Sequence, residues 1–547
     1  MPVGPEVPDA DDEVAARDAR LRGRAGDLDP DDPRDPDDPD DPDDPDRPGR
    51  PGDREPADAA VALGPVSDRV KRLTLYATIL GSSMSFLDMT VVSVALPTMA
   101  LDLGFGLTGQ QWVNVSYMLA LTALYLLAGT IGDRVGQRRV FIFGIVGFAL
   151  ASLLAGLAET TTLLLAARVL QGAAGAFLTT TSLALLRNTW GAESGRAIGL
   201  WTAGTSIATV LGPFAGGLLT DHVSWRAIFL INIPVGVFAL IFAVASRNPQ
   251  ERAAPSDARG SIDFAGATLG AAAITALTWF LVQGQEVGFA TTAWAAALAL
   301  ACSVLFLFWE RRTEHPLLPL SLFANRNFSV VNIATLLIYA SLGGSLFYLG
   351  LYLQSGTIGY SATAAGLWMV PISAAMILLA ARFGRVSDQR GPRLLLSVGP
   401  LLMAFGMLAF MLIDDRAGFG GLAEGVALFG IGLAMIVAPI TSTAMQAAPP
   451  QHSGVAAAVN TALARLGAVI AVALMGVIIS TVFAGSIKGR ADDPFAVTSR
   501  SVKVDVAVTD AYRLGMLFAI GLALAGGVVA ALGVDDRAAR SEAQRGS

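Results

Sequence analysis

The sequence predicts an all-α, polytopic membrane protein, and three observations carry that prediction. Fourteen apolar stretches, each of roughly 20 residues or more, follow one another between about Leu73 and Val534. At about 1.5 Å of rise per residue, each is long enough to cross a hydrocarbon core of about 30 Å. The connections between them are mostly short and rich in arginine. Only 15% of residues are charged, with a mean hydropathy of +0.56, against about 25% charged in soluble domains. A soluble all-α repeat protein could contain one such helix in its core, but not fourteen in succession.

Taken in order, the first span, 73–98, contains one acid, Asp88, and ends near Pro97. Span 2 (110–131) runs into a glycine-rich basic turn, and span 3 (139–158) leaves that turn. Span 4 (161–186) contains Arg168, and span 5 (196–220) contains Gly212-Pro213. Span 6 (226–246) follows Trp225-Arg226. Spans 7 and 8 (262–283 and 291–310) form a pair set off by linkers. Spans 9 to 14 are 328–354, 361–383, 393–413, 418–444, 454–483 and 512–534. The stretch between the last two, about 484–511, reads as a loop of mixed charge with little structure of its own.

Charge sets the orientation. The net charge of -7 is unevenly spread: residues 1–72 hold 22 acidic and 11 basic side chains, which leaves the rest of the chain at +4. Alternate connections carry Arg134, Arg138 and Arg139; Arg187 and Arg196; Arg247, Arg252 and Arg259; Arg311, Arg312 and Arg326; and Arg385, Arg390 and Arg393. The other short connections hold only Arg226 and Arg416. The excess of basic residues belongs on the cytoplasmic side, which places both termini inside and the 484–511 loop outside. The Asp/Pro repeats between Asp29 and Asp46 repel one another and block helix, so residues 1–65 are expected to be disordered. That segment lacks the basic-then-apolar pattern of a cleaved signal.

Cys302 is the one cysteine, so no intrachain disulfide is possible, and His222, His315 and His452 are too scattered for a metal site. No phosphate-binding Gly-x-x-x-x-Gly-Lys-Ser/Thr occurs, which excludes the usual ATP-driven machinery. No cofactor and no enzyme constellation is expected.

One motif repeats. Gly129, Asp133, Gly136 and Arg138 recur 255 residues later as Gly384, Asp388, Gly391 and Arg393, with identical internal spacing. Both copies sit between one apolar span and the next. Parallel repeats of this kind mark transporters that expose a central site alternately to the two sides. The glycines permit tight turns and close helix approach. Asp133 is expected to face a helix N-terminus or an arginine, with Arg134, Arg138 and Arg139 in cytoplasmic water.

The residues now carry a family resemblance. Gly129 to Arg139, Leu87-Asp88-Met-Thr90-Val-Val-Ser93-Val-Ala95-Leu96-Pro97, Arg168-Val-Leu-Gln171-Gly172-Ala-Ala-Gly175 and Ala208-Thr-Val-Leu-Gly212-Pro213-Phe-Ala-Gly216-Gly217 resemble motifs of the major facilitator superfamily. They resemble in particular its fourteen-helix drug:proton antiporters of the QacA/EmrB type. Ser93 replaces a usual Asn, and Ala208 a usual Gly. Trp225-Arg226-Ala-Ile-Phe229-Leu-Ile-Asn232-Ile-Pro234-Val-Gly236, Asp263-Phe-Ala-Gly266 and the His315–Phe323 segment resemble motifs of the fourteen-helix branch.

The resemblance implies a major facilitator fold of two six-helix halves plus two extra central helices. Residues 71–250 would form the first half, 251–326 the extra pair with its linkers, and 327–534 the second half. Residues 1–70 and 535–547 would be cytoplasmic tails. It implies a proton-driven multidrug or small-molecule exporter of the plasma membrane, acting as a monomer. The partners would be small amphipathic substrates, protons and the lipid bilayer, with no nucleic acid. Alternatives are a dedicated exporter of one metabolite, antibiotic or lipid, or a receptor or assembly protein that kept the fold.

Roles follow for named residues. The repeated loop residues, with Arg134, would gate the cytoplasmic side, while Gly212, Pro213, Gly216 and Gly217 form the antiporter motif, where proline kinks the helix and glycines admit a neighbour. Asp88 is an acid inside a membrane helix, so it should face the bundle interior, either as a proton carrier or as a helix-packing hydrogen-bond partner. Arg168 and Gln171 share one helix face. An arginine close to Asp88 would hold it ionised and, on separating, let it take a proton. Trp112, Tyr117, Gln171 and Tyr339 are candidates to line a substrate cavity, with Tyr125 and Tyr348 also available. Glu424 and Glu286 are the other acids near membrane depth, and Arg465 lies near Asn460 in span 13.

Overall fold

The computed structural model describes residues 66–247, 263–313, 316–413, 419–449, 453–487, 494–495 and 502–536. Its described part is built of helices: α1 Asp68–Leu103, α2 Leu107–Val135, α3 Gln137–Gly156, α4 Thr161–Trp190, α5 Ser194–His222, α6 Ala227–Ala245, α7 Phe264–Val287, α8 Phe289–Glu310, α9 Arg326–Gln354, α10 Ala362–Arg390, α11 Arg393–Phe410, α12 Phe419–Gln446, α13 Ser453–Ser486 and α14 Val502–Gly533. Thirteen are each long and apolar enough to cross a membrane; α2 makes the fourteenth when its two segments, bent by 50°, count as one span. The expected acidic tail, residues 488–493 and 496–501 of the expected outer loop, and His315 and His452 lie outside the described residues.

Helix boundaries follow local chemistry. Thr160, Ser361, Asn325 and Asp263 each accept a backbone N–H three residues ahead, satisfying donors that the first turn leaves orphaned. The α2–α3 and α10–α11 turns pivot on Gly136 (φ 104°) and Gly391 (φ 94°), a backbone region that favours glycine. These are the repeated glycines.

One boundary corrects the sequence reading. α14 begins at Val502, ten residues before the expected span, so residues 502–511 of the expected loop are helical. Val504, Ala507, Val508 and Ala511 recur at helical spacing and are buried, and packing of that stripe holds the turns that Lys503, Asp505 and Asp510 made look like loop.

Two six-helix bundles result. In the first, α4 packs on α2 and α3, and α1 packs on α5 and α6; in the second, α9 packs on α13 and α14, and α12 on α10 and α11. The α7–α8 pair packs on itself, and α7 also lies against both α2 and α13. The bundles meet along two seams, α5 with α10 and α2 with α13.

The two copies of the repeat are structurally equivalent. Arg138 donates to the carbonyls of Ala243 and Val244 at the end of α6, and Arg393 Nε donates to the Ala531 carbonyl (2.7 Å) near the end of α14. Each arginine thus meets the C-terminal carbonyls of the last helix in its own half, where a cation is favoured.

Orientation is open to a direct check, because Arg139 and Glu159 are exposed near opposite ends of α3. In a Cys302→Ser background, a membrane-impermeant maleimide added to intact cells is expected to label Glu159→Cys, and to label Arg139→Cys only after permeabilisation. The reverse pattern would invert the topology.

Candidate functional site

A buried ionic cluster sits inside the first half. Asp88 of α1 is 1% exposed and Arg168 of α4 is 0% exposed. Arg168 Nη1 donates to Asp88 Oδ2 and to Gln171 Oε1 (2.9 Å), and its Nε donates to the Val113 carbonyl of α2 (3.1 Å). Gln171 Nε2 donates to Asp88 Oδ1 (3.1 Å) and to Ser152 Oγ of α3 (2.8 Å), which also accepts from Asn232 Nδ2 of α6 (3.3 Å). The guanidinium lies over the Tyr117 ring (4.4 Å to the centroid) and near that of Phe229 (5.8 Å). Tyr117 in turn shares a 2.6 Å hydrogen bond with Ser85. Five helices therefore meet through side chains on one carboxylate and one guanidinium.

Small residues make this approach possible. A Cβ on Gly172 would lie 2.3 Å from the Tyr117 carbonyl oxygen, and one on Gly175 would lie 3.1 Å from Ser85 Oγ. Asp88, Arg168, Gln171 and Tyr117 are thus brought together as one unit. Tyr117 lies beneath the arginine. Trp112 packs against Trp279 of α7 with centroids 5.4 Å apart, and Tyr339 is half-buried on α9. Ser152 and Asn232 join the cluster without having been singled out as its members; their signal was a polar side chain within an apolar span.

The antiporter motif splits its glycines between two neighbours. A Cβ on Gly212 would lie 2.0 Å from Thr90 Oγ1, and one on Gly216 would lie 3.0 Å from the Val91 backbone, both on α1. Gly217 faces the other half, where its Cβ would lie 2.4 Å from the Ala362 carbonyl of α10. Reciprocally, a Cβ on Gly366 of α10 would lie 2.1 Å from the Pro213 carbonyl. Backbones of the two halves touch here with nothing between them.

Hydrogen bonds between the halves, among the described residues, gather at this same end, opposite the basic loops. Asp221, in the last turn of α5, accepts from the backbone N–H groups of Ala362 (3.2 Å) and Thr363 (2.8 Å), the first residues of α10. On the other seam Gln111 Nε2 donates to Tyr348 Oη (2.7 Å) and to the Val472 carbonyl (3.1 Å). Gln285 of α7 adds bonds to Gln111 Oε1 (3.3 Å) and to the Ala473 carbonyl (3.4 Å). Trp225 and Arg226 both donate to Asp102 at the end of α1 (2.9 and 2.7 Å), fixing the entry to α6.

At the loop end, two expectations need correction. Asp133 is exposed and accepts from the side chain of Gln137, the first residue of α3, in place of an arginine or a backbone N–H of that helix. Gly129 meets no heavy atom within 4 Å of where a Cβ would sit, so it makes no close approach here. The hydrogen bonds described between the halves lie at the other end. Asp388 and Arg134 are likewise exposed, and Gly384 comes only to ordinary contact with Ala438 (3.5 Å). Glu424 and Glu286 are exposed.

Two helical halves, a charged cluster within one of them and paired basic turns define a membrane transporter. The Major Facilitator Superfamily model matches residues 78–472, and the chain belongs to that family. It is 33% identical over 422 residues to the "Multidrug resistance protein Stp" of Mycobacterium tuberculosis, covering 76% of each chain. It is 34% identical over 413 residues to the "Tetracenomycin C resistance and export protein" of Streptomyces glaucescens, covering 75% of this chain and 76% of that one. Among solved structures, a bacterial homolog of the human lysosomal transporter Spinster, inward-facing and unoccupied, superposes with a TM-score of 0.63 at 15% identity, covering 87% of this chain and 99% of that one.

The two kinds of glycine should separate in stability. Gly172→Ala forces a Cβ against backbone and is expected to cost about 1–3 kcal/mol. Gly129→Ala, in an open helical position, should be neutral or stabilising by up to about 1 kcal/mol. Thermal unfolding of the purified variants checks the contrast.

Proposed function

We propose that the protein is a proton-driven exporter of small amphipathic molecules across the cell membrane, working as a monomer with both termini in the cytoplasm. The observation that carries this reading is the Asp88–Arg168–Gln171 cluster: a titratable carboxylate held by a permanent cation inside one half of a two-half transporter. Relatives named for resistance and for export set the direction of transport as outward.

A guanidinium beside a carboxylate favours its ionised form, and burial opposes that form, so the balance between them depends on how close the pair is held. If the transport cycle bends the first half so that α1 moves relative to α4, the pair loosens and Asp88 takes a proton, with about 1.4 kcal/mol of coupling for each pKa unit of change. Proton uptake on one side and release on the other then drives the conformational cycle, and substrate need not touch the pair. No cofactor enters this scheme.

With the basic loops inside, the hydrogen bonds described between the halves lie on the outer side, which supports an inward-open reading of this conformation. Asp221 and Gln111 are outer gate residues in this reading, and they must let go before substrate leaves. Asp133, Arg134 and Asp388, with the repeated glycines and arginines, form the inner gate, engaging when the cytoplasmic ends close. The exposure of Asp133 in this conformation fits a latch that is undone.

Asp88→Asn is expected to abolish pH-gradient-driven efflux in everted vesicles and to keep substrate binding. Concentrative, pH-driven transport by that variant would move the proton path elsewhere, to Glu424 or Glu286 first. Arg168→Lys should also impair coupling, because an ammonium cannot reproduce the guanidinium's fork of donors.

Asp221→Asn should weaken two charge-assisted bonds at the outer gate and raise the outward-open population severalfold. Distance measurement between spin labels on the outer ends of α5 and α10 reads this directly; an unchanged distribution would remove Asp221 from the gate.

Asp133→Asn should slow turnover while leaving the melting temperature unchanged, since its carboxylate is exposed here. Wild-type turnover in that variant would end its assignment to the inner latch.

A further inference from the structure

Among the described residues, Arg465 of α13, at the seam between the halves, is a cation without an acidic partner. Asp88 and Arg168 neutralise each other within the first half. The Nη1 of Arg465 is buried with no hydrogen-bond partner. Its guanidinium lies over the ring of Tyr125 on α2, 4.8 Å from the centroid, so it points across the seam into the other half. Tyr125 and Tyr117 are the groups that act on it electrostatically. Its direction is fixed from behind. Asn460, earlier on α13, donates to Asn332 Oδ1 (3.1 Å) and Thr335 Oγ1 (2.7 Å) of α9. A Cβ on Gly467 would lie 2.3 Å from the Leu336 carbonyl, which fastens the α13 backbone onto α9.

A guanidinium has five donors and cannot shed its charge. Holding it half-buried with an unanswered donor is costly, and a permanent cation at membrane depth marks a functional site. The cation–π contact with Tyr125 offsets part of that cost but gives Nη1 no acceptor. What is missing is an oxyanion.

We propose that Arg465 is the anion-binding element of the transport site, and that the favoured substrates carry a carboxylate on an aromatic body. The carboxylate pairs with the guanidinium through its two oxygens, and the apolar body rests against the α2 face that carries Tyr125. An uncompensated positive charge at this depth disfavours permanently cationic compounds. This rests on the export reading, and it names the substrate class for the same seam.

The test uses purified full-length protein in lipid nanodiscs, with 1-naphthoate and its neutral counterpart 1-naphthamide as probes, followed by calorimetry. The wild type is expected to prefer the acid. Arg465→Gln should weaken naphthoate binding about tenfold or more, the loss of a charge-assisted bond, and leave naphthamide unchanged. Arg465→Lys keeps the charge and should keep the preference for the acid, which separates the role in binding from any loss of folding in the glutamine variant. Equal wild-type affinity for acid and amide, or an undiminished preference in a folded Arg465→Gln protein, would overturn the assignment. pH-driven uptake of naphthoate into everted vesicles is read separately: its absence with the binding preference intact counts against export of this compound and leaves the anion site standing.

Discussion

The buried pair of Asp88 and Arg168 is the constraint around which the first half is arranged. Two charges removed from water need partners for their remaining donors and acceptors, and losing one partner of such a pair costs about 3–5 kcal/mol; here Arg168 Nε and Nη1 are answered and Nη2 is left to the ring of Tyr117. That requirement recruits Gln171, Ser152, Asn232 and the Val113 carbonyl, and it sets the aromatic floor of Tyr117 and Phe229. Helices can reach a common point only where side chains are small, which explains the glycine at 172 beside the Tyr117 carbonyl. Motifs that look separate along the chain are parts of one electrostatic solution.

The helical spans and the repeat were legible because they rest on local signals: apolar length, arginine bias, and glycines whose positive φ belongs to a turn. Gly136 and Gly391 were readable in this way. The partners across space were not. Nothing local tells that Gly217 meets α10 while Gly212 and Gly216 meet α1, since all three look alike to a neighbour in the chain. Trp112 looked available to a cavity, yet it packs on Trp279, because the α7–α8 pair covers that face of α2. Gln111, Asp221 and Ser152 were passed over, since a single uncharged or terminal polar residue in an apolar stretch gives little sign of the partner it needs. The early start of α14 was hidden by its charges; only the buried stripe beneath them shows a helix.

The halves touch in two chemically different ways. Along α5 and α10 the contact is backbone against backbone, with Gly217 and Gly366 removing any side chain from between them. Such a contact has close dispersion attraction and no side-chain interlock, so sliding or parting meets little rotamer resistance. Along α2 and α13 the contact is polar, made by Gln111, Tyr348 and the Val472 carbonyl, and its directional bonds must be exchanged for others when the halves separate. One seam is held by fit and the other by directed bonds.

The α7–α8 pair belongs to neither half, yet α7 lies against both α2 and α13, and Gln285 bonds to each of them. It therefore covers the α2–α13 seam. Among the described residues the α5–α10 seam has no such extra pair across it. The two seams, equivalent by the internal repeat, are thus unequal in their surroundings: one is bridged by a third element, and the other is contact between the halves alone.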